Sequence, residues 1–254
     1  MPKAPSRSEQ IPMYRIEPDG ATACIVVLHE VWGLVPHIRD VCKRLGKLGF
    51  SAIAPDLYWE RKTLLSPESI QKAMEGVWDL SLEERRDKAK VHKAMIRKGF
   101  GHDTLAVTST LYSKRFRDLL VSDASSSVKL VHSKYGRVSV LGFCLGGGLA
   151  LKVAARLGDL SSIVSFYGEP PSSNEVRRIS TPVLAIHATN DEIINTKVPA
   201  FVETALAAGK DLTLKIYPRT RHGFFNDTNS SVYNERAAAE AWELATWFLR
   251  RTLR

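Results

Sequence analysis

The amino-acid sequence predicts a single α/β domain with a mostly parallel central sheet and helices on both of its faces. Three observations support this prediction. Short apolar runs alternate with stretches of helical periodicity, no internal repeat or linker divides the chain, and 254 residues are enough for one large domain. Such alternation indicates βαβ crossovers, in which successive strands run parallel and the connecting helices cover the sheet.

The first predicted strand is Ala23–Leu28, a continuous apolar run of the kind found in strands that are buried on both faces. His37–Leu48 follows with apolar residues at helical spacing, and Gly49 closes this predicted helix. Ser51–Ala54 is the second predicted strand, and Pro55 ends it. These three segments form the first βαβ unit.

The second half of the chain continues the same alternation. Further strands are predicted at Arg137–Phe143, Ser162–Tyr167, Val183–Ala188 and Leu212–Tyr217, and helices from Leu145, over Lys197–Ala208 and over Tyr233–Leu253. In a parallel sheet, ligands bind outside the carboxyl ends of the strands. The residues that directly follow these strands are therefore the candidates for a functional site.

Residues 59–131 fit the alternation less well. Their charged, helix-like stretches predict two or three helices over one end of the sheet, near the pocket; the stretches are Glu68–Leu80, Leu82–Lys98 and Leu105–Leu120. The start of the chain is polar and contains Pro2 and Pro5, so we predict that residues 1–12 are flexible and that residues 13–254 form the single domain.

The composition argues against several classes of function. The net charge of +9 raises the question of nucleic acid, but the basic residues are spread along the chain and acids are interleaved with them at Glu83–Lys88, so we predict no nucleic-acid partner. No apolar run is long enough for a membrane span, and none resembles a signal peptide, so a cytoplasmic location without membrane contact is expected. Three cysteines do not suggest a disulfide framework.

A candidate nucleophile follows the strand Arg137–Phe143. The sequence Gly142-Phe143-Cys144-Leu145-Gly146 matches G-x-S-x-G with cysteine in the serine position, the nucleophile elbow between a strand and a helix. A sharp turn of this kind needs glycines, because neighbouring Cβ atoms would clash. The helix N-terminus favours the thiolate form of Cys144, and the amide of Leu145 is free to donate to an oxyanion.

A candidate acid and a candidate base follow later strands, in the chain order that this elbow requires. Asp191 follows the strand Val183–Ala188, and His222 follows the strand Leu212–Tyr217. A carboxylate would orient the imidazole, and the imidazole would act on the thiol. Glu192 is the alternative acid, one residue further from the strand end. Structural or surface roles are predicted for the other six histidines.

These motifs together resemble the dienelactone hydrolase family (carboxymethylenebutenolidases), whose members have the α/β-hydrolase fold. The resemblance covers the chain from about Tyr14 to the C-terminal helix and is weakest over Trp59–Val131. The motifs that carry it are His29-Glu30-Val31-Trp32-Gly33, Ala54-Pro55-Asp56-Leu57-Tyr58, Gly142-Phe143-Cys144-Leu145-Gly146-Gly147, and the pair Asp191 and His222.

The resemblance implies further site residues. It assigns Glu30 to a thiol switch that substrate binding displaces, and the amide of Val31 to the second oxyanion donor beside Leu145. It places four aromatic residues at the substrate pocket: Trp32, Tyr58, Tyr167 and Phe224. One position departs from the family, since Asn226 stands where dienelactone-cleaving members use an arginine to bind the substrate carboxylate.

The resulting hypothesis is hydrolysis of a small ester or lactone through a thioacyl-enzyme, by a monomer or homodimer that needs no metal or organic cofactor. The nucleophile, base and acid are Cys144, His222 and Asp191. Two alternatives remain open at this point. One is a general carboxylesterase or thioesterase without dienelactone activity, and the other is a non-catalytic protein that senses oxidants or binds a ligand through Cys144.

Overall fold

A computed structural model describes residues 6–253 and contains one seven-stranded sheet. Along the sheet the strands lie in the order β1-β3-β2-β4-β5-β6-β7, and every neighbouring pair is parallel except β1 and β3. The strands are β1 (Met13–Ile16), β2 (Ala23–Leu28), β3 (Ser51–Pro55), β4 (Arg137–Phe143), β5 (Ser162–Phe166), β6 (Val183–Asn190) and β7 (Leu212–Arg221). The predicted mostly parallel sheet is confirmed.

Helices cover both faces of this sheet, as expected for the α/β-hydrolase fold. They are α1 (Arg7–Gln10), α2 (Pro36–Lys47), α3 (Pro67–Val77), α4 (Lys88–Arg97), α5 (His102–Tyr112), α6 (Lys114–Tyr135), α7 (Leu145–Ala154), α8 (Ser173–Arg178), α9 (Val198–Ala207) and α10 (Glu235–Thr252). Three-residue 3₁₀ turns occur at Trp59–Arg61, Glu84–Arg86 and Asn195–Lys197.

The inner strand β2 contributes side chains to the hydrophobic core on both faces of the sheet. All six of its residues are buried. Cys24, Val26 and Leu28 belong to the core on the side of α6 and α7, whereas Ile25 and Val27 belong to the core on the side of α2 and α10. This follows from the strand period of two, which sends successive side chains to opposite faces. Burial on both faces explains the uninterrupted apolar run in the sequence.

The helical segment differs in detail from the prediction of two or three helices. Residues 59–135 contain four helices, α3 to α6, because the cap at Ser113 divides the predicted stretch Leu105–Leu120 between α5 and α6. The turn at Gly99-Phe100-Gly101 separates α4 from α5. Gly99 adopts a φ of 75°, which only glycine takes readily and which ends α4. The apolar faces of α3 to α6 join the core cluster on the side of α7.

The structure describes part of the stretch that the sequence predicts to be flexible. Residues 1–5 of that stretch lie outside the described residues. Arg7–Gln10 form the short helix α1. Arg7 pairs with the buried carboxylate of Asp123 at 2.7 Å and with Glu60 at 2.8 Å, so α1 is fixed to α6. Within residues 6–253, no helix is both long and apolar enough to cross a membrane.

Candidate active site

Cys144 lies at the elbow between β4 and α7, at the carboxyl edge of the sheet. Its backbone is strained, with φ of 52° and ψ of −115°, a conformation that is rare for residues other than glycine. The Cys144 amide donates to the carbonyl of Phe166 at 3.0 Å and ties the turn to β5. A Cβ atom at Gly142 would overlap the carbonyl of Gly146, which explains the first glycine of the motif.

His222 and Asp191 meet beside this elbow. The Nδ1 atom of His222 lies 2.7 Å from Oδ2 of Asp191, which is 1% exposed. The other carboxylate oxygen of Asp191 accepts hydrogen bonds from the amides of Ile193 and Ile194, each at 3.2 Å. Both oxygens of Asp191 are therefore anchored, and Nδ1 of His222 is fixed as the donor. Glu192, the alternative acid, is exposed.

The environment of His222 favours its protonated form. Burial acts to lower the pKa of the imidazole, but the neighbouring Cys144 and the hydrogen-bonded carboxylate of Asp191 raise that pKa well above its usual value. Since Nδ1 is bonded to Asp191, Nε2 is the nitrogen available to the sulfur. The arrangement stabilises an imidazolium next to Cys144 and can transfer a proton at Nε2.

The carboxylate of Glu30 lies in the same region and is 2% exposed. Its Oε1 atom accepts from the phenol of Tyr167 at 3.1 Å, and its Oε2 atom accepts from Nδ2 of Asn226 at 2.7 Å. The amide oxygen of Asn226 accepts from the backbone and hydroxyl of Thr228, at 3.0 and 2.6 Å. Because the Thr228 N–H can only donate, the NH₂ group of Asn226 must face Glu30.

Asn226 is thus a site residue whose contact the sequence did not reveal. The sequence marked this position only as a departure from the arginine of the family. In the structure, Asn226 is 6% exposed, and both ends of its amide are occupied by Glu30 and Thr228. Glu30 and Cys144 line one cavity, but no hydrogen bond joins them in the described part of the chain.

Two backbone amides next to Cys144 are available to a ligand. Val31 follows the end of β2, and Leu145 is the first residue of α7. In residues 6–253, neither amide donates to a backbone or side-chain acceptor, as expected for an amide in the first turn of a helix such as Leu145. Both residues line the cavity that contains Cys144.

His29 holds the end of β2 in place. One ring nitrogen, Nδ1, lies 2.7 Å from the carbonyl of Glu30, and the other, Nε2, accepts from the amide of Leu57 at 3.3 Å. These partners define the tautomer with the proton on Nδ1. Burial lowers the pKa of His29, so the ring is neutral. The predicted structural role of His29 agrees with this geometry.

The cavity in front of Cys144 has a volume of about 210 Å³ and a mostly apolar lining. Trp32 lines it, as the resemblance implied. The other three aromatic residues assigned to the pocket, Tyr58, Tyr167 and Phe224, are buried behind the cavity wall. Two of these rings pack against histidines instead: Tyr58 lies edge-on to His29 at 4.8 Å, and Tyr167 lies 5.0 Å from the His222 ring.

The helical segment supplies cavity residues that the sequence did not single out. They are Met74, Trp78, Leu82, Arg85, Arg86, Leu111, Tyr112, Arg117 and Val121. Their approach to Cys144 depends on how α3 to α6 pack, which leaves no local signal in the sequence. In the described residues, no group of three or more His, Cys, Asp or Glu side chains is arranged to hold a metal ion.

Comparisons with known proteins agree with this fold. The family model described as the dienelactone hydrolase family matches residues 11–253. A protein of Saccharolobus solfataricus named "Putative carboxymethylenebutenolidase" is 33% identical over 248 residues, which cover 97% of this chain and 96% of that protein. An Aquifex aeolicus protein of the same name is 28% identical and covers 95% and 93% of the two chains.

Solved structures support the fold. A crystal structure titled "Putative Dienelactone Hydrolase" from Klebsiella pneumoniae matches with a TM-score of 0.72 at 24% identity, over 96% of this chain and 95% of the other. A dienelactone hydrolase from Anabaena variabilis matches with a TM-score of 0.59 at 19% identity, over 95% and 92%. With the family match over almost the whole sequence, these findings show that the chain belongs to the dienelactone hydrolase family.

Proposed function

We propose that this protein hydrolyses a small carboxylic ester or lactone through a thioacyl-enzyme, with Cys144 as the nucleophile, His222 as the acid and base, and Asp191 as the orienting carboxylate. One observation carries the proposal. Cys144 and His222 line one cavity, while Asp191 holds Nδ1 of His222 and so leaves Nε2 to the sulfur. The relatives named carboxymethylenebutenolidase support the same class of substrate.

In the first step, the Cys144 thiolate attacks the carbonyl carbon, and the carbonyl oxygen becomes an oxyanion. Val31 and Leu145 line the cavity, and their free amides would donate to this oxygen. As the tetrahedral intermediate collapses, the carbon–oxygen bond of the ester breaks and Nε2 of His222 gives its proton to the departing alkoxide. With a lactone, that alcohol stays attached to the acyl chain.

In the second step, water cleaves the thioester. His222 takes a proton from the water at Nε2, and the resulting hydroxide adds to the acyl carbon. The carbon–sulfur bond then breaks, the acid leaves, and the thiolate and imidazolium are formed again. The raised pKa of His222 suits this cycle, because the imidazolium beside the attacking thiolate carries the proton that the leaving group needs.

Glu30 is proposed as the switch of the thiol, following the family resemblance. Its bonds to Tyr167 and Asn226 support a defined position in which the carboxylate does not bond to the sulfur. A resting position against the thiol would then be the second state. Glu30→Gln should change the rate at which iodoacetamide alkylates Cys144 in the absence of substrate, and an unchanged rate would remove Glu30 from this role.

The central test is Cys144→Ala, assayed with dienelactone and with p-nitrophenyl esters. We expect a loss of at least about a thousandfold in kcat/KM on every substrate that the protein cleaves. Cys42→Ala is the matched control, because Cys42 is fully buried in α2 and its pKa is raised by burial to about 12. Turnover by Cys144→Ala close to that of the wild type would refute the proposal.

The same experiment separates the alternatives. Intact-mass measurement after mixing with a slow ester should show the acyl group on Cys144, whereas a thiol sensor would form no such adduct. Turnover of p-nitrophenyl esters without turnover of dienelactone would identify a general esterase. The contact between Asn226 and Glu30 favours this second candidate, since the side chain in the position of the family's arginine is not free for a substrate carboxylate.

A further inference from the structure

The helices α3, α4 and α5, with the 3₁₀ turn Glu84–Arg86, form one unit of residues 67–112 that lines the cavity of Cys144. The three helices pack against one another, and α5 packs against α6, which in turn contacts the sheet. Residues of the unit, among them Met74, Trp78 and Leu111, form one wall of the cavity. The position of this wall therefore depends on how the unit is attached to the rest of the protein.

Arg85 braces the unit from within. Its buried guanidinium donates to the carbonyls of Val77 and Trp78 at the end of α3, and to the phenol of Tyr112 in α5. One side chain of the 3₁₀ turn thus joins this turn to two helices. Breaking these bonds would leave buried carbonyls without partners, which is costly. We therefore expect α3, the turn and α5 to move as one body.

Arg86, the next residue, binds outside the unit. Its Nη2 atom lies 2.7 Å from each carboxylate oxygen of Glu169, in the loop that follows β5. Within residues 6–253, this pair is the one side-chain hydrogen bond or ion pair between residues 67–112 and the rest of the chain, apart from bonds of the flanking residues Ser66 and Ser113. A single polar contact therefore attaches this wall to the loops at the strand ends.

Glu169 has a second cation on its own side of the contact. The Nζ atom of Lys197, which follows β6, lies 2.7 Å from the same carboxylate. Burial acts to raise the pKa of Glu169, but its hydrogen bonds with Lys197 and Arg86 hold that pKa below the usual value. If Arg86 leaves, Lys197 still compensates the carboxylate, so separation of the pair does not leave an unpaired buried charge.

Two features of Arg86 also favour a contact that can open. The side chains of Arg86 and Glu169 are 29% and 27% exposed, so water and salt weaken their attraction. In the described part of the chain, the buried Nε atom of Arg86 has no hydrogen-bond partner, which is a cost that separation would remove. Arg85 thus holds the unit together firmly, whereas Arg86 attaches it reversibly.

We propose that residues 67–112 form a lid over the cavity of Cys144, and that the ion pair of Arg86 and Glu169 is the clasp that holds this lid closed. Ser66 and Ser113, which have extended backbones at the two ends of the lid, would absorb the movement. The open lid would admit the substrate, and the closed lid would complete the cavity wall. The role of the lid in turnover rests on the proposed function, whereas its movement can be tested without turnover.

The test measures access to Cys144 with two neutral thiol reagents, N-ethylmaleimide and the much larger N-(1-pyrenyl)maleimide. Mass spectrometry locates the adduct, and the other two cysteines, Cys24 and Cys42, are fully buried. The ratio of the rate constant for the large reagent to that for the small one cancels changes in the reactivity of the thiolate. We expect Arg86→Met and Glu169→Gln each to raise this ratio by roughly fivefold, as for loss of a partly exposed ion pair.

Three controls accompany this measurement. Arg86→Lys keeps the charge and should recover most of the wild-type ratio. Arg97→Met should leave the ratio unchanged, because Arg97 is 65% exposed and pairs with Asp79 inside the lid. Lys197→Met leaves the clasp in place and should change the ratio by less than about twofold. Sodium chloride at about 1 M should raise the ratio of the wild type and leave that of Arg86→Met unchanged.

The double variant Arg86→Met/Glu169→Gln separates a clasp from a general loss of stability. If the two residues act only through their contact, the double variant should show the same increase of roughly fivefold as each single variant, and not roughly twenty-fivefold. A multiplied effect would overturn the clasp, as would ratios within about 1.5-fold of the wild type for both single variants.

Thermal unfolding of every variant completes the experiment. A ratio that follows the unfolding temperature across all variants, with Arg97→Met and Lys197→Met included, would show that the large reagent enters by global unfolding and would overturn the lid. The maleimides report access to the sulfur and not ester cleavage. An unchanged ester turnover in Cys144→Ala would therefore refute the proposed hydrolysis and leave the result on the lid intact.

Discussion

The strand ends and the helical segment of residues 59–135 both line the candidate active-site cavity, but they are held in different ways. At the strand ends, Cys144 sits on a strained turn, and Asp191 is fixed by two backbone amides within three residues. In the helical segment, Arg85 and Arg86 are placed by helix packing and by contacts to distant residues. The geometry of the strand ends is therefore set by local structure, whereas the geometry of the helical wall is set by tertiary packing.

Asp191→Asn would test the strand-end side of this comparison and has the largest expected effect. Asparagine keeps the shape but can present its NH₂ group to Nδ1 of His222, so the imidazole loses its oriented tautomer and the carboxylate that raises its pKa. We expect kcat to fall roughly a thousandfold, about 4 kcal/mol in activation free energy. The basic limb of the pH profile of kcat/KM should move to lower pH, as steady-state kinetics would show.

Glu192→Gln is the control for that prediction. Glu192 is exposed next to Asp191, so its replacement should leave kcat and the pH profile unchanged. A near-normal rate in Asp191→Asn together with a large loss in Glu192→Gln would reverse the assignment of the acid. Such a result would also mean that the local geometry of β6 and its loop does not determine the chemistry.

Arg85→Met would test the helical side. The Arg85 guanidinium is buried and donates to the carbonyls of Val77, Trp78 and Leu80, at 2.9 to 3.2 Å, and to the phenol of Tyr112 at 3.2 Å. It closes the C-terminal end of α3, where a positive charge is favourable. Its loss leaves several carbonyls without partners, so we expect the free energy of unfolding to fall by about 3 kcal/mol. Urea titration followed by circular dichroism would measure it.

Arg97→Met provides the comparison within the same segment. Arg97 forms an exposed ion pair with Asp79 at 2.8 Å, so its replacement should change the free energy of unfolding by less than about 0.5 kcal/mol. Equal losses in the two variants would show that Arg85 contributes as a surface charge. A loss of kcat in Arg85→Met as large as that in Asp191→Asn would contradict the proposed function, in which the strand ends supply the reacting groups and the helical segment only lines the cavity.

The same division explains what the sequence could predict. The apolar run of β2 and the glycines around Cys144 are local signals, and the fold class followed from them. Asp191 and His222 were predicted to form a pair from their order after the elbow and their strand-end positions, which are also readable along the chain. The structure brings the pair together at 2.7 Å.

Contacts between distant parts of the chain left no comparable signal. Glu30 and Asn226 are separated by 196 positions, and Arg86 and Glu169 by 83, so neither contact has a sequence pattern. β1 was missed because its four residues, Met13–Ile16, are only partly buried at the sheet edge and lack an apolar run. Ser113, which caps α6, divides a stretch that had been interpreted as one helix.

His187 offers a pH-dependent test at the strand ends. It is fully buried in β6, both ring nitrogens lack partners among the described residues, and burial lowers its pKa from 6.5 to about 4. His187 therefore binds a proton in the unfolded chain at pH values at which it stays neutral in the folded chain. Stability from this group is present above pH 6.5 and is lost as the pH falls from 6.5 towards 4, by about 2–3 kcal/mol. His187→Leu should therefore reduce the dependence of the free energy of unfolding on pH in this range.

Urea titrations between pH 7 and pH 4.5 would measure the difference between the wild type and His187→Leu, and His92→Gln, at an exposed position of α4, is the control. His222 contributes with the opposite sign. Its folded pKa is raised, so its contribution is present below pH 6.5 and is lost as the pH rises through the raised value. An unchanged slope in His187→Leu would mean that His187 is protonated in the folded protein.

Asp87→Ala has the smallest expected effect and tests whether the helical segment is an independent unit. The Asp87 carboxylate caps α4 by accepting from the amides of Ala89 and Lys90, at 2.9 and 3.3 Å, so its loss should cost about 1 kcal/mol. Asn234→Ala removes an equivalent cap at α10, where the side chain accepts from Ala237 at 3.0 Å.

If α4 opens without the sheet, hydrogen exchange in Asp87→Ala should rise in α3 to α5 alone. Equal increases across β2, β4 and α4 would instead show that the helices and the sheet unfold together.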